Sequence, residues 1–227
     1  MKEKKKKEIG FFGATIVAMA IIILGYSFYS IGCWWYHSGR RRAVAGIREP
    51  IQQDVTSESI CFTKNGWDID MKYICSYDIE ALVLHTKEYS ETDNLADSIS
   101  PLDLLLGWGT VAEVNEKIDY EWDHGVRKGG CPDANEVRLA PFDGDVEKFV
   151  MSFSNNHLIP AEKNVEKDLL KVRRGDHIRI RGYLVNVDGV RKKDGQGAYW
   201  YTSTVRTDYE GTGCEIIYVT NIDWIDD

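Results

Sequence analysis

The residue types able to do chemistry gather in the last third of the chain. His157 stands in Asn155-Asn156-His157-Leu158-Ile159-Pro160, between two amides and an apolar run. An imidazole in such surroundings is equipped to ligate or to transfer a proton. The competing reading makes Asn155, Asn156 and His157 a turn that leads into a helix. Ser203, Arg206, Asp208, Cys214 and Glu215 form a second polar group, at the end of one expected strand and the start of the next. Cys214 becomes a nucleophile only beside a cation or base that lowers its pKa, a part open to Arg206 or His157. Against that, Arg206 paired with Asp208 or Glu215 across strands would simply fix a loop, with Cys214 buried or bridged. No G-x-S-x-G elbow accompanies either candidate nucleophile. The catalytic candidates are therefore His157, Cys214 and Ser203.

Trp108 lies between Gly107 and Gly109, which leave both ring faces open for stacking; the alternative is a core anchor at a tight bend. The binding candidates are Trp108, His157, Arg206, Asp208 and Glu215. His85, His124 and His177 are scattered without metal-ligand spacing, and no C-x-x-C occurs, so no metal is expected. Asp194-Gly195-Gln196-Gly197 lacks the dinucleotide-binding pattern and the Walker lysine. It reads as a hairpin turn, and no cofactor is expected.

These residues need a scaffold, and the pattern is mainly β. Ser59–Thr63 runs into Asn65-Gly66, a pair that favours positive φ and a hairpin. Behind it Ile79, Ala81, Val83 and His85 alternate with Glu80, Leu82, Leu84 and Thr86, as in a long strand. Residues 89–100 are polar and read as a loop. Ser100 then caps a short helix that has Pro101 in its first turn and stops at Gly107-Trp108-Gly109. Residues 119–135 are turn-rich, Glu136–Leu139 reads as a short strand, and Val146–Phe153 is apolar without a clear period.

Val165, Leu169 and Val172 mark a packing helix near 162–172, ended by Gly175-Asp176. His177–Asp188, Tyr199–Val205 and Glu215–Ile222 complete the strands. The expected fold is β-rich α+β: one antiparallel barrel or sandwich with a single packing helix.

The chain has 227 residues and a formal charge of −8. Residues 1–42 take eight Lys/Arg and two acidic residues, leaving 20 against 34, a net of −14 for the rest. That excludes nucleic acid as a natural partner, because phosphate neutralisation supplies most of such affinity. The basic excess at the start has a pattern. Five lysines within residues 1–8 precede Ile9–Ile31, 23 residues without a charge. As a helix this stretch is about 34 Å long, enough to span a bilayer. Trp34, Trp35 and Tyr36 follow as interfacial residues.

The expected organisation is a basic cytoplasmic tail 1–8, a transmembrane helix 9–31, an interfacial segment and linker 32–58, and a β-rich domain 59–227. Lysine on the amino flank outweighs Arg40, Arg41, Arg42 and Arg48, which places the domain outside the cytoplasm. Cys61, Cys75, Cys131 and Cys214 fit an oxidising compartment, with three pairings open to them. Cys33, after Ser30-Ile31-Gly32, departs from a lipidation motif.

Asn155–Pro160, Arg174–Val185, Ser203–Asp208 and Gly213–Val219 together resemble an uncharacterised family of bacterial membrane-anchored proteins with a C-terminal OB-like β domain. The resemblance covers about residues 100–222 and implies no activity, so it assigns no catalytic residue. The functional expectation is a membrane-anchored, extracytoplasmic binding or assembly module for an envelope protein, peptide or glycan. The alternatives are a hydrolase or thiol-dependent enzyme built on His157 with Cys214 or Ser203, and a cytoplasm-facing accessory subunit of a membrane complex.

Overall fold

The computed structural model of the chain describes Met19 and residues 21–28, 42–56, 58–90, 92–118, 121–123, 128–130, 139–205 and 214–225. Two compact units divide it, Met1–Gly39 and Arg40–Asp227. In the first, residues 21–28 are helical, and Ile21, Ile22, Ile23, Leu24, Tyr26 and Phe28 are each more than half exposed. Among the described residues no helix is long and apolar enough to cross a membrane. The basic tail and most of the expected 9–31 span lie outside the described residues.

The second unit is mainly β. Its strands are β1 (Ile51–Asp54), β2 (Ser59–Lys64), β3 (Trp67–Glu88), β4 (Leu102–Gly107), β5 (Glu121–Asp123), β6 (Lys128–Gly130), β7 (Phe153–Pro160), β8 (His177–Arg191), β9 (Gly197–Tyr201) and β10 (Cys214–Trp224). Among the described residues four short α-helices join them: α1 (Leu95–Ile99), α2 (Gly109–Glu113), α3 (Val146–Val150) and α4 (Lys163–Leu169). The β2–β3 turn has Asn65 at φ +48° and Gly66 at φ +82°, the two positive values a two-residue hairpin needs.

The strand pairings close a ring. β3 pairs with β4, β4 with β7, β7 with β10, β10 with β8, and β8 returns to β3. All are antiparallel except β7 with β10, which corrects the wholly antiparallel expectation. The parallel pair has a simple cause. Direction alternates around an antiparallel ring, so five strands cannot close one without a parallel pair; α4 fills the connection after β7 and buries Val165 and Leu169 against the core.

Several local expectations are corrected. Leu102–Gly107 is a strand, not a helix, with all six residues buried. A strand packed on both faces reads as an unbroken apolar run, and its leucines contribute about 1.5–3 kcal/mol each by burial. Phe153–Pro160 is likewise a fully buried strand, which removes the turn reading of Asn155, Asn156 and His157. α1 lies inside the stretch expected to be loop; Asn94 caps it by accepting from Asp97 N at 2.8 Å.

The stretch expected to be linker carries β1, which pairs with β3, and Ile47, which is 4% exposed. Val44 N donates to Ala112 O and Arg42 Nε to Gly175 O, so the chain is fastened to the domain before β1 begins. Most of the expected 119–135 loop and of the 136–139 strand lies outside the described residues; within it β5 and β6 form a small hairpin.

One β-bulge organises the rest. In the β3–β8 ladder Tyr73 stands opposite Val185 but Cys75 stands opposite Leu184, so Ile74 is an extra residue. It reverses which face of the sheet the odd residues of β3 occupy. After the bulge, Ile79 and Ala81 share the inner face of the ring with Leu184, Leu104, Leu158 and Ile217. Before it, Trp67, Ile69 and Met71 lie on the opposite face with Val185 and Val187, forming a second core with Ile159, Ile216 and α1. β3 and β8 thus run past the ring into a four-stranded extension, β2–β3–β8–β9, that buries one face and leaves the other open.

Candidate functional site

The open face of the extension is the candidate site. Its side chains form three rows across the four strands. Ser59, Lys72, Asn186 and Tyr201 make the first, Cys61, Asp70, Asp188 and Tyr199 the second, and Thr63, Asp68, Val190 and Gly197 the third. Of these twelve residues only Asn186 is partly buried, while their strand neighbours pack into the second core. Tyr199 is 75% exposed, Tyr201 53% and Val190 51%. Cys61, Asp68, Asp70, Asp188, Val190 and Tyr199 line a concavity of about 540 Å³.

The polar contacts of this face are mostly light. Tyr201 Oη donates to Asp188 Oδ1 at 2.9 Å, which orients the ring and, by favouring the neutral phenol, raises its pKa. The Tyr199 and Tyr201 rings lie 5.3 Å apart. Thr63 Oγ1 donates to Asp68 Oδ1 at 2.6 Å, and Lys192 Nζ lies 3.3 Å from the same oxygen. The Thr63 hydroxyl first, then Lys192, lowers the Asp68 pKa. Asp70 accepts only a long contact from the Cys61 thiol among the hydrogen bonds described, at 3.7 Å.

A second hollow, about 310 Å³, lies among Arg48, Glu49, Asp78, Glu80 and Arg179. Within it Arg179 grips Asp78 with two bonds of 2.7 and 2.6 Å and thereby holds its carboxyl below the usual range.

The residues singled out from sequence are divided by the fold. His157, Cys214 and Ser203 come to one corner, where β7 meets β10. His157 is 3% exposed; its Nδ1 lies 2.9 Å from Asp103 Oδ2, in ion-pair range without the alignment of a hydrogen bond. Ser100 Oγ donates to Asp103 Oδ1 at 3.4 Å, and the Trp200 ring sits 4.8 Å from the imidazole. Cys214 stands opposite Asn155, whose Nδ2 reaches its Sγ at 3.3 Å. The Ser203 hydroxyl donates to Val205 O and accepts from Val205 N. Chemically, this corner joins β9 to the ring through a buried acid–imidazole pair, with a thiol and a hydroxyl nearby.

The other candidates do not join it. Trp108, 2% exposed, is the residue before α2 and belongs to the first core, which ends its platform reading. Glu215, 1% exposed, lies on the inner face opposite Asn156. Arg206 and Asp208 lie outside the described residues. No disulfide joins Cys61, Cys75 and Cys214 to one another among the described residues, and Cys131, the fourth cysteine for which pairings were open, lies outside them. Burial raises the Cys75 thiol pKa. Among the described residues no group of three or more His, Cys, Asp or Glu could hold a metal.

Sequence reasoning missed Asp103 because a buried strand was read as a helix. It also missed the open face, although the signal was present: Asp68 and Asp70 alternate with Trp67, Ile69 and Met71, and Tyr199 and Tyr201 alternate with Ala198 and Trp200. No family model, no curated protein and no solved structure matches this chain.

Proposed function

We propose that this chain is a single-pass, membrane-anchored binding module of the bacterial envelope, with an OB-like domain held outside the cytoplasm. The strand order of the ring, first–second–third–fifth–fourth, with a parallel third–fifth pair and a helix between third and fourth, supports the OB-like reading. The uncharged Ile9–Ile31 stretch behind five lysines supports the anchor. The observation that carries binding is the open sheet face, where two tyrosines and a valine remain more than half exposed beside a concavity of about 540 Å³.

The reading is tested in the full chain by placing a photocrosslinking phenylalanine at Tyr199 or, as control, at Glu113. The expected result is a discrete adduct from position 199, absent from position 113 and lost when Tyr201→Ala and Val190→Ser accompany it. Equal labelling at both positions, or none at either, would sink it. Alkaline phosphatase and fluorescent-protein fusions after Asp227 test placement: active phosphatase with a dark fluorophore supports the envelope, and the reverse favours a cytoplasmic accessory subunit. The hydrolase or thiol-enzyme reading has less behind it, since the Ser203 hydroxyl is engaged by Val205 and His157 is buried against Asp103 and Trp200.

A further inference from the structure

Several acids of this domain are matched by a neighbouring base. Asp78 is held by Arg179, Asp223 by Arg181, Asp194 by Arg191, Asp93 by Lys193, and Asp68 by Lys192. The middle row of the open face holds no such base. Asp70 and Asp188 are direct cross-strand partners on the same solvent-facing side, and among the described residues neither is in an ion pair. Directly opposed side chains in an antiparallel ladder have Cβ atoms about 4.5–5.5 Å apart, and like charges there destabilise the sheet. Their only described hydrogen-bond donors are a phenol, from Tyr201, and a thiol, from Cys61. Tyr199 closes the same row, next to Asp188, with its ring largely in solvent.

We propose that this row is the seat for an arginine side chain carried by an extended segment of a partner protein. The inference rests on the binding reading above and names its partner class. Two carboxylates side by side match the planar fork of a guanidinium better than the point charge of an ammonium. The exposed Tyr199 ring offers a face for the guanidinium to stack on, and Val190, in the neighbouring row, offers apolar contact to the aliphatic stem. The four strands leave the seat open above, as a segment lying across the sheet requires. The repulsion between Asp70 and Asp188 is relieved only when the cation arrives, so the pair trades stability of the free domain for recognition.

The test uses the full chain in detergent micelles and a fluorescein-labelled Gly-Ser peptide bearing two arginines, read by anisotropy. Saturable binding is expected, weakened several-fold when salt rises from about 50 to about 300 mM. Asp70→Asn with Asp188→Asn should weaken it by about tenfold, and Tyr199→Ala by about threefold. Glu113→Gln with Glu116→Gln, the same change in charge elsewhere, should leave it unaltered. The Asn pair should also raise the melting temperature of the free chain, which excludes misfolding as the cause of lost binding. A citrulline peptide that binds as well as the arginine peptide overturns the proposal, as does equal binding by the Asn pair.

A neutral oligosaccharide, maltohexaose, that binds in a Tyr199-dependent way while the arginine peptide does not would overturn the partner class but leave the face as a binding site. A chain that is dimeric as wild type and monomeric as the Asn pair would overturn it in favour of a second copy. Binding of every probe indifferent to Tyr199, Asp70 and Asp188 would take the face itself down with it.

Discussion

β3 and β8 are each one continuous strand, yet their two halves live in opposite worlds. Within the ring their inner face is packed by Ile79, Ala81, Ile180 and Leu184, while the outer face holds polar pairs such as Asp78 with Arg179 and Glu80 with His177. Beyond the bulge the outer face becomes the second core, and the inner face opens to water with Asp70 facing Asp188. Tyr73, Tyr183 and Tyr218 stack where the exchange occurs, with ring centroids 4.4 and 5.8 Å apart. Asp78, in the ring half, finds its counter-charge across the same sheet; Asp70 and Asp188, on the extension, face each other without one among the described residues. A closed core and an open face are thus separated along the same two strands.

Deleting Ile74 is the most severe way to break this division. Without the extra residue, the side chains of β3 on one side of the bulge must exchange faces, sending Trp67, Ile69 and Met71 to solvent or Ile79 and Ala81 out of the ring. The expected outcome is loss of the cooperative thermal transition by circular dichroism; a retained transition would mean that the bulge can migrate.

His157→Ala comes next. It strips Asp103, which is 0% exposed, of its imidazole neighbour and opens a gap beside Trp200. A loss of about 3–5 kcal/mol in urea unfolding is expected, with Trp200 fluorescence shifted to the red.

Gly182→Ala tests the ring alone. A Cβ there would stand 2.0 Å from Tyr218 O, a backbone atom of β10. Separating β8 from β10 enough to admit it should cost about 1–3 kcal/mol, without altering binding at the open face.

The smallest effect is a pH dependence. The Arg179 guanidinium holds the Asp78 carboxyl below its ordinary 3.8, so the contribution is present above that value and is lost as pH falls through the lower, folded one. Asp78→Asn should therefore melt earlier than wild type at pH 7, and the two melting temperatures should converge below about pH 4. Parallel curves at all pH values would show that the pair contributes nothing that titrates.

How much of this was legible followed from periodicity. The β2–β3 hairpin was readable because Asn65-Gly66 is a local signal, and β8 because Ile178, Ile180 and Leu184 alternate with Arg179, Arg181 and Tyr183. β4 was not, because a strand buried on both faces has no alternation and Ser100-Pro101 mimics a helix start. The bulge left no mark either: Tyr73, Ile74 and Cys75 suit either face. Its position depends on which residues of β8 arrive opposite, and those are about a hundred positions away. The site fared likewise. The alternation of Asp68 and Asp70 was visible, but that Asp70 meets Asp188 is a fact of long-range register.

The parallel pairing of β7 with β10 also fixes an order of events during synthesis. Asn155 waits 59 residues for Cys214, and β10 is the last strand of the described chain. Until it is made, β7 and β8 each present an unpaired edge, and the apolar inner face has no lid. Most of the domain must therefore be translated before any of the ring can close. A nascent chain of this kind spends its youth as sticky, half-built sheet and leans on chaperones more than a helical domain of equal length would.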